Sequence, residues 1–374
     1  MSSATTQATD RVYNFSPGPA VMPLSVLEQI QKDLVALPGS GASILEISHR
    51  GKPFLAILED AKRRLRDLLR IPSNYHILFL QGGARLQFSM VPMNLLRGAS
   101  APASYVLTGS WGIKALEEAR REGPTHVAWD GRDTAYDGVP AWTGVPIPSD
   151  AAYVHMTSNE TIEGVQFRDA PPAGLPPVVC DCSSDFLSRP IPVDRYALLY
   201  ACAQKNAGPA GVTIVIVRDD LLERCGDSLP GYLNYRNHVE EDSLYNTPAT
   251  FGIYVFGLIA RWLEEEVGGL DAMRLRNERK ARMVYDAIDE SRGFYRGHAR
   301  PEHRSAMNAT FRLPDESREK AFLGEAEKIG LCSLKGHRSV GGIRASIYNA
   351  MPDEGVEQLC GFMRGFARRH GGGA

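Results

Sequence analysis

Lys205 lies in Gln204-Lys205-Asn206-Ala207-Gly208-Pro209-Ala210-Gly211, between apolar runs at 196–203 and 212–217. A lysine flanked this way is either on an exposed hairpin turn or held in a pocket away from bulk water. In the second case burial disfavours the ammonium form, lowers the pKa and leaves a nucleophilic amine able to form a Schiff base with an aldehyde. The glycines of the turn let the main chain approach a ligand closely.

Three further groups fall where apolar runs end, the place at which open α/β sheets bind ligands. In Gln81-Gly82-Gly83-Ala84-Arg85 a strand-like run passes through glycines into a helical pattern. Free N–H groups at such a helix start can cradle phosphate, and an ordinary tight βα turn also uses Gly-Gly. The segment matches neither the G-x-G-x-x-G nor the Walker pattern, which argues against NAD and ATP. Asp181 ends the run Val178-Val179-Cys180. It is either a cap for the residues that follow or the ion-pair partner of a protonated ring nitrogen. Trp111, after the run at 104–108, is either core or a stacking surface for a planar ring. An acid and a lysine at neighbouring strand ends, with a phosphate cup, are the three anchors that pyridoxal 5'-phosphate needs.

The elements that must position these groups alternate along the chain. Helical periodicity covers 25–37, 53–69, 90–96 and 112–121, and short Val/Ile/Leu-rich runs mark strands at 76–80, 104–108, 178–181, 196–203 and 212–217. Such alternation predicts an α/β fold, a mostly parallel sheet between helices. After a helical stretch at 250–290, strands at 305–312 and 340–346 and helices at 316–329 and 355–369 predict a smaller α+β C-terminal domain. The expected division is a disordered tail at 1–12, a large domain at 13–267 and a small domain at 268–374, with the N-terminal segment of the large domain touching the small one.

With 374 residues, a net charge of −2 and 43% hydrophobic residues, the chain is long enough for one large domain and a smaller one. It has no basic excess pointing to nucleic acid. Its six cysteines form no C-x-x-C pair, so neither a disulfide framework nor a zinc site is expected; no metal is expected, and a reducing cytoplasm fits. The first ten residues contain no apolar core of a secretory signal. The apolar stretch at 251–263 is interrupted by Arg261 and is too short to cross a bilayer, so no membrane role is expected.

Several segments together resemble the phosphoserine aminotransferase family, class V pyridoxal-phosphate enzymes of the aspartate-aminotransferase fold (fold type I). They are Asn14-Phe-Ser-Pro-Gly-Pro-Ala, Ile47-Ser-His49-Arg50-Gly-Lys, Asn159-Glu-Thr161-Ile-Glu-Gly, Cys202-Ala-Gln204-Lys205-Asn-Ala-Gly-Pro-Ala-Gly, Tyr245-Asn246-Thr247-Pro and Lys335-Gly-His337-Arg338-Ser-Val-Gly-Gly-Ile-Arg344. The resemblance runs from about residue 13 to 370. It implies a large domain with a seven-stranded sheet, and that Lys205 binds the cofactor covalently and shuttles a proton. It also implies that Asp181 keeps the pyridine nitrogen protonated, that Trp111 stacks on the ring and that Thr161 bonds near the phenolate oxygen. Ala84, Arg85 and Gln204 would hold the phosphate, with Asn246 and Thr247 arriving from the second subunit of a homodimer. Arg344 would clamp the substrate α-carboxylate. His49 and Arg50, joined by His337 and Arg338 of the partner chain, would grip the phosphate or γ-carboxylate. Many relatives carry glycine where this chain has Ala84, and that position is tolerable only if its φ is negative.

The implied reaction moves an amino group from glutamate to 3-phosphohydroxypyruvate, giving 2-oxoglutarate and O-phosphoserine for serine biosynthesis. The phosphorylated hydroxythreonine precursor of vitamin B6 (4-phosphohydroxythreonine) is a possible further substrate. Two other readings have distinct signatures. A cysteine desulfurase needs a nucleophilic cysteine on a mobile loop, for which Cys332 is the one candidate near the C-terminal domain. A non-catalytic phosphometabolite-binding protein predicts loss of the lysine or the aspartate, and both are present.

Overall fold

The computed structural model describes residues 11–371, so residues 1–10 of the expected tail lie outside the described residues. A seven-stranded sheet dominates. Its strands lie in the order Tyr75–Leu80, Thr213–Arg218, Leu198–Cys202, Val178–Asp181, Val154–Thr157, Ala103–Leu107, Thr125–Asp130. Six run the same way, and Thr213–Arg218 alone is antiparallel to both its neighbours. The exception has a local cause. Only a short connection joins Leu198–Cys202 to Thr213–Arg218, closed by Ala203 N–H donating to Val212 O at 2.9 Å, and a connection that short can only turn the chain back.

The central strands read as continuous apolar runs because both faces are covered. Ile214, Ile216, Leu199 and Ala201 face one core with Phe54, Leu58 and Leu65, whereas Val215, Val217, Leu198 and Tyr200 face the other with Phe88, Leu95 and Leu116. The helix Lys52–Leu69 shows how the covering layer is specified. Phe54, Leu58, Ala61, Leu65 and Leu69 recur at helical spacing and are buried, while Glu59, Asp60, Lys62, Arg63, Arg64, Arg66 and Asp67 lie between them.

Two strands, Val154–Thr157 and Thr125–Asp130, are absent from the sequence expectation. Thr125–Asp130 is the sheet's edge strand, mostly half-buried, and carries polar residues that hide its periodicity. The helical stretch expected at 250–290 is broken. Thr250–Trp262 passes into a wider turn at Leu263–Val267, and Gly268 and Gly269, at φ of 87° and 92°, end it before Leu270–Asp289 begins.

Beyond that break the chain builds a second core. A three-stranded antiparallel sheet of Arg296–Gly297, Asn308–Arg312 and Ile343–Ser346 packs with the helices Leu270–Asp289, Glu316–Lys328 and Asp353–His370. Phe15 is buried in this core, and Tyr13–Asn14 pairs in parallel with Leu331–Cys332. Among the described residues no helix is long and apolar enough to cross a membrane.

Phe322 is fully buried, with its ring 4.9 to 6.1 Å from those of Phe362, Phe366, Phe311 and Tyr295. Phe322→Ala is expected to destabilise the second core by about 3–5 kcal/mol, read as a lowered urea midpoint. A midpoint equal to the parent's would contradict the packing described.

Candidate active site

The carboxyl ends of five strands open onto one cavity of about 430 Å³. Each end delivers a different group. Leu80 leads through Gly82 and Gly83 into the helix Gly83–Leu95. Leu107 leads into Ser110–Ala119 and Trp111. Val154–Thr157 and Val178–Asp181 end in Thr157 and Asp181, and Cys202 leads to Lys205.

Two of these ends are helix N-termini, and they differ. At Ser110–Ala119 the free N–H groups are consumed by the protein itself. Glu160 accepts from Trp111 N–H at 3.1 Å and Gly112 N–H at 3.0 Å, and Glu163 accepts from Ser110 N–H at 3.0 Å and its hydroxyl at 2.6 Å. At Gly83–Leu95 the first N–H that bonds back is that of Leu86, to Gly82 O, which leaves Gly83, Ala84 and Arg85 without intrahelical partners. Gly82 has φ 88° and would place a Cβ 2.5 Å from Leu86 Cδ2, so only glycine makes this turn. Ala84 is not among the left-handed residues. Its methyl group therefore costs nothing, and the chain's departure from glycine is tolerated.

Lys205 is part of the short hairpin connection, and its half-buried side chain reaches into the cavity, where Nζ donates to Thr161 Oγ1 at 2.9 Å and lies 5.8 Å from the Trp111 ring centroid. The turn and the pocket of the sequence reading thus describe one place. The expected fall in its pKa is corrected. Burial does pull the amine down, but Tyr348, Cys202, Asp181 and Glu160 surround it and hold it above the ordinary lysine value. Asp181, at 4% exposure, accepts from Ser183 N–H at 2.9 Å within a turn, and no helix follows for it to cap. Burial raises its pKa, against the pull of Lys205 and Ser183.

Arg344, on Ile343–Ser346, reaches the same cavity at 7% exposure. Its Nη1 lies 3.5 Å from Thr161 O, its Nε has no partner, and it makes no ion pair among the described residues. Burial lowers its pKa, with Tyr348 and Glu163 opposing. A buried guanidinium in this state is a receptor for an anion.

The other expected site residues divide. Gln204 and His337 line the cavity of this chain, His337 near Arg344. Burial, then Arg344, Lys114 and Arg338, lower the His337 pKa. His49, Arg50, Arg338, Asn246 and Thr247 do not line the cavity. They lie on exposed or half-buried loops, with Arg50 Nε 3.4 Å from His49 Nε2. Cys332 sits in the short strand paired with Asn14 and does not line the cavity.

The comparisons agree with this geometry. The model of the family described as Aminotransferase class-V matches residues 12–359. A phosphoserine aminotransferase of Rhodopirellula baltica is 54% identical over 363 residues, 96% of each chain. The solved phosphoserine aminotransferase of Bacillus circulans subsp. alkalophilus superposes with a TM-score of 0.94 at 49% identity, covering 96% of this chain and 99% of that one. The PLP-bound enzyme of Trichomonas vaginalis does so with 0.89 at 40% identity, covering 95% and 100%. The chain belongs to the class-V aminotransferases and, within them, to the phosphoserine aminotransferase family; it is a transaminase whose cofactor is pyridoxal phosphate.

The residues present fit that cofactor. The cavity offers an open cradle of N–H groups for a phosphate, a buried acid for a ring nitrogen, a lysine for an aldehyde and, in Thr157 Oγ1, a buried hydroxyl with no protein partner. No cluster that could hold a metal ion occurs among the described residues.

Sequence reasoning passed over Glu160 and Glu163, although both stand in the segment that supplied Thr161. Two acids three residues apart, flanking Thr161 and Ile162, were the available signal. Gly109 explains how closely they approach. A Cβ there would stand 2.6 Å from Glu163 Oε2 and 2.7 Å from Glu160 Cδ. Burial raises both pKa values, and repulsion from Glu163 adds to the rise at Glu160. Glu160 receives an N–H on each oxygen, whereas Glu163 Oε2 has no partner, and burial holds the Glu163 carboxyl above the ordinary carboxylate range. A carboxyl raised in the folded state gives stability that is present below its unfolded value of about 4.3 and is lost as pH climbs through the folded one. Glu163→Gln, which mimics the protonated acid, is therefore expected to flatten the alkaline side of the melting-temperature profile relative to the parent. Identical profiles for parent and variant would refute the assignment.

Proposed function

We propose that the enzyme transfers an amino group from glutamate to 3-phosphohydroxypyruvate, giving 2-oxoglutarate and O-phosphoserine in serine biosynthesis, with 4-phosphohydroxythreonine as a further possible substrate. The observation that carries this reading is Arg344, buried and unpaired in the cavity that holds Lys205 and Asp181. Glutamate and the phosphorylated keto acid share an α-carboxylate, and a planar guanidinium binds it in two-pronged fashion.

When bound, the cofactor supplies an electron sink for the carbanion formed at the amino acid's Cα. The protein supplies the rest. Asp181 would balance the charge of a protonated ring nitrogen, and the N–H groups of Ala84 and Arg85 with Gln204 would hold the phosphate. Trp111 would stack on the ring face, and Thr161 and the Asp181 side chain would hold its polar edge. Lys205 Nζ, as the free amine, would move the proton at Cα.

The far end of the substrate needs a second cationic group. His337 stands beside Arg344 in its own cavity, and His49 and Arg50 lie away from theirs. This arrangement favours a homodimer in which His49–Arg50, with Asn246 and Thr247, enter the site of the partner, and Arg338 completes the anion grip at the join. Exposed Val35, Leu45 and Tyr245 close to these loops in sequence support a covered face there. We also propose the division at about residue 268 into a large and a small domain, the helix break being the natural hinge, and a cytoplasmic setting, which six free cysteines support.

Purified enzyme is expected to be yellow and to lose its colour with borohydride. Arg344→Ala should lower kcat/KM about 10²-fold in both half-reactions, as loss of charge-assisted hydrogen bonds to one carboxylate implies. A defect confined to one half-reaction would sink the shared-carboxylate role. In mixed dimers, chains carrying Lys205→Ala and chains carrying Arg50→Ala should restore each other's activity. If mixing restores nothing, the site is not shared.

A further inference from the structure

Lys280 is fully buried, lies outside the cavity, and is used by nothing in the reaction. It projects from the helix Leu270–Asp289, and its Nζ donates to four main-chain oxygens, those of Ile347 at 3.1 Å, Tyr348 at 2.6 Å, Asn349 at 3.3 Å and Met351 at 3.2 Å. All four belong to the short segment between Ile343–Ser346, which carries Arg344, and the final helix Asp353–His370. That segment is tied to the cavity on two sides. Tyr348 OH donates to Pro17 O at 2.9 Å, and Pro17 lines the cavity. Asn349 N–H donates to the side chain of Asn206, the neighbour of Lys205, at 2.9 Å. Asn277, one turn before Lys280 on the same helix, donates to Asn349 Oδ1 at 2.8 Å and to Ser188 O at 3.1 Å.

Burial, with Arg276 and Arg279 nearby, pushes the Lys280 amine well below the ordinary lysine value, and Asp353 opposes. The cage works the other way. It offers four acceptors and no donor, which favours the form with three N–H bonds. Converging carbonyl oxygens that replace a hydration shell are also how proteins hold monovalent cations.

We propose that Lys280 is a positioning residue for the transamination site: its ammonium stands where a bound monovalent cation would, gathers the carbonyls of residues 347–351, and so fixes Arg344 and Asn206 relative to Lys205. The inference rests on the reading of Arg344 and Lys205 as the site.

The test uses the full-length holoenzyme with Lys280→Ala and Lys280→Met, assayed in potassium, ammonium or tetramethylammonium chloride at equal ionic strength. Alanine empties the cage; methionine fills it without charge. Both variants should lose about tenfold or more in kcat/KM for both half-reactions, as removal of a buried charged hydrogen-bonding partner implies. Potassium or ammonium should restore Lys280→Ala, raising its melting temperature with concentration, whereas tetramethylammonium, too large for the cage, should not. Lys280→Met should not respond. Kinetics of Lys280→Met equal to the parent's would overturn the proposal, as would a Lys280→Ala defect indifferent to the cation. If Lys280→Ala does not fold, Lys280→Met decides alone: impaired turnover at an unchanged melting temperature supports positioning, and a lowered melting temperature with intact kcat and KM refutes it. Failure of the underlying site reading is distinguishable, because the parent enzyme would then show no turnover to perturb.

Discussion

Two cations, Lys205 and Arg344, share one cavity, and neither may be neutralised by a protein carboxylate if an anionic substrate is to bind there. The difficulty is that acids lie close by. Glu160, Glu163 and Asp181 all influence one or other cation, and a lone carboxylate free to swing toward either would form an ion pair and close the site. Each acid is instead engaged elsewhere. Glu160 and Glu163 are pinned to main-chain N–H groups at the start of Ser110–Ala119, and Asp181 accepts from Ser183 N–H. The helix N-terminus does for these carboxylates what an ion pair would do, without using up a cation. In the proposed reading Arg344, desolvated and left unpaired, binds an α-carboxylate more strongly than it could at a wet surface.

The same reasoning separates the two helix starts at the cavity. Both present N–H groups after a strand, and pattern alone gives either as an anion site. One is occupied by the protein's own acids, and the other is open, with Gly82 and Gly83 clearing the approach and Ala84 and Arg85 supplying donors. What decides between them is the presence of Glu160 and Glu163, contributed by a segment some fifty residues distant in sequence. Gly109 belongs to the same logic. Its φ of 168° is extended backbone open to any residue, and its value lies in the space that a side chain would take from the two carboxylates.

These contrasts explain what could be read in advance. Lys205, Asp181, Trp111 and the Gly82–Gly83 turn were legible because chemistry at a strand's carboxyl end leaves a local mark, an apolar run followed at once by a polar or glycine residue. Most elements were legible for the same reason, since buried strands and amphipathic helices carry their periodicity in a few consecutive residues. The edge strand Thr125–Asp130 was not, because it is mostly half-buried and its pattern is correspondingly weak, unlike the buried other edge, Tyr75–Leu80. The sign of the Lys205 shift was not legible either. Burial could be inferred from the flanking strands, but the surrounding acids come from 160, 181, 202 and 348, and their sum depends on the fold. Glu163 and Lys280 were hidden in a third way, as ionisable residues in places where sequence suggests surface, whose partners are brought from afar.

The separation of His337 from His49 and Arg50 carries the argument beyond one chain. A substrate with an anion at each end needs two cationic receptors held a fixed distance apart, and a single cavity wall supplies Arg344 and His337 at one end only. The loop bearing His49 and Arg50 sits away from that wall, exposed beside Leu45, and the loop bearing Asn246 and Thr247 lies beside exposed Tyr245. Cationic and polar groups bordered by exposed apolar side chains are poor as free surface and good as a subunit contact, since burial of the apolar rim would bring the charges to a partner's cavity. In the proposed dimer the substrate's second anion is therefore recognised only after assembly, and the incomplete monomer cavity is what couples catalysis to association.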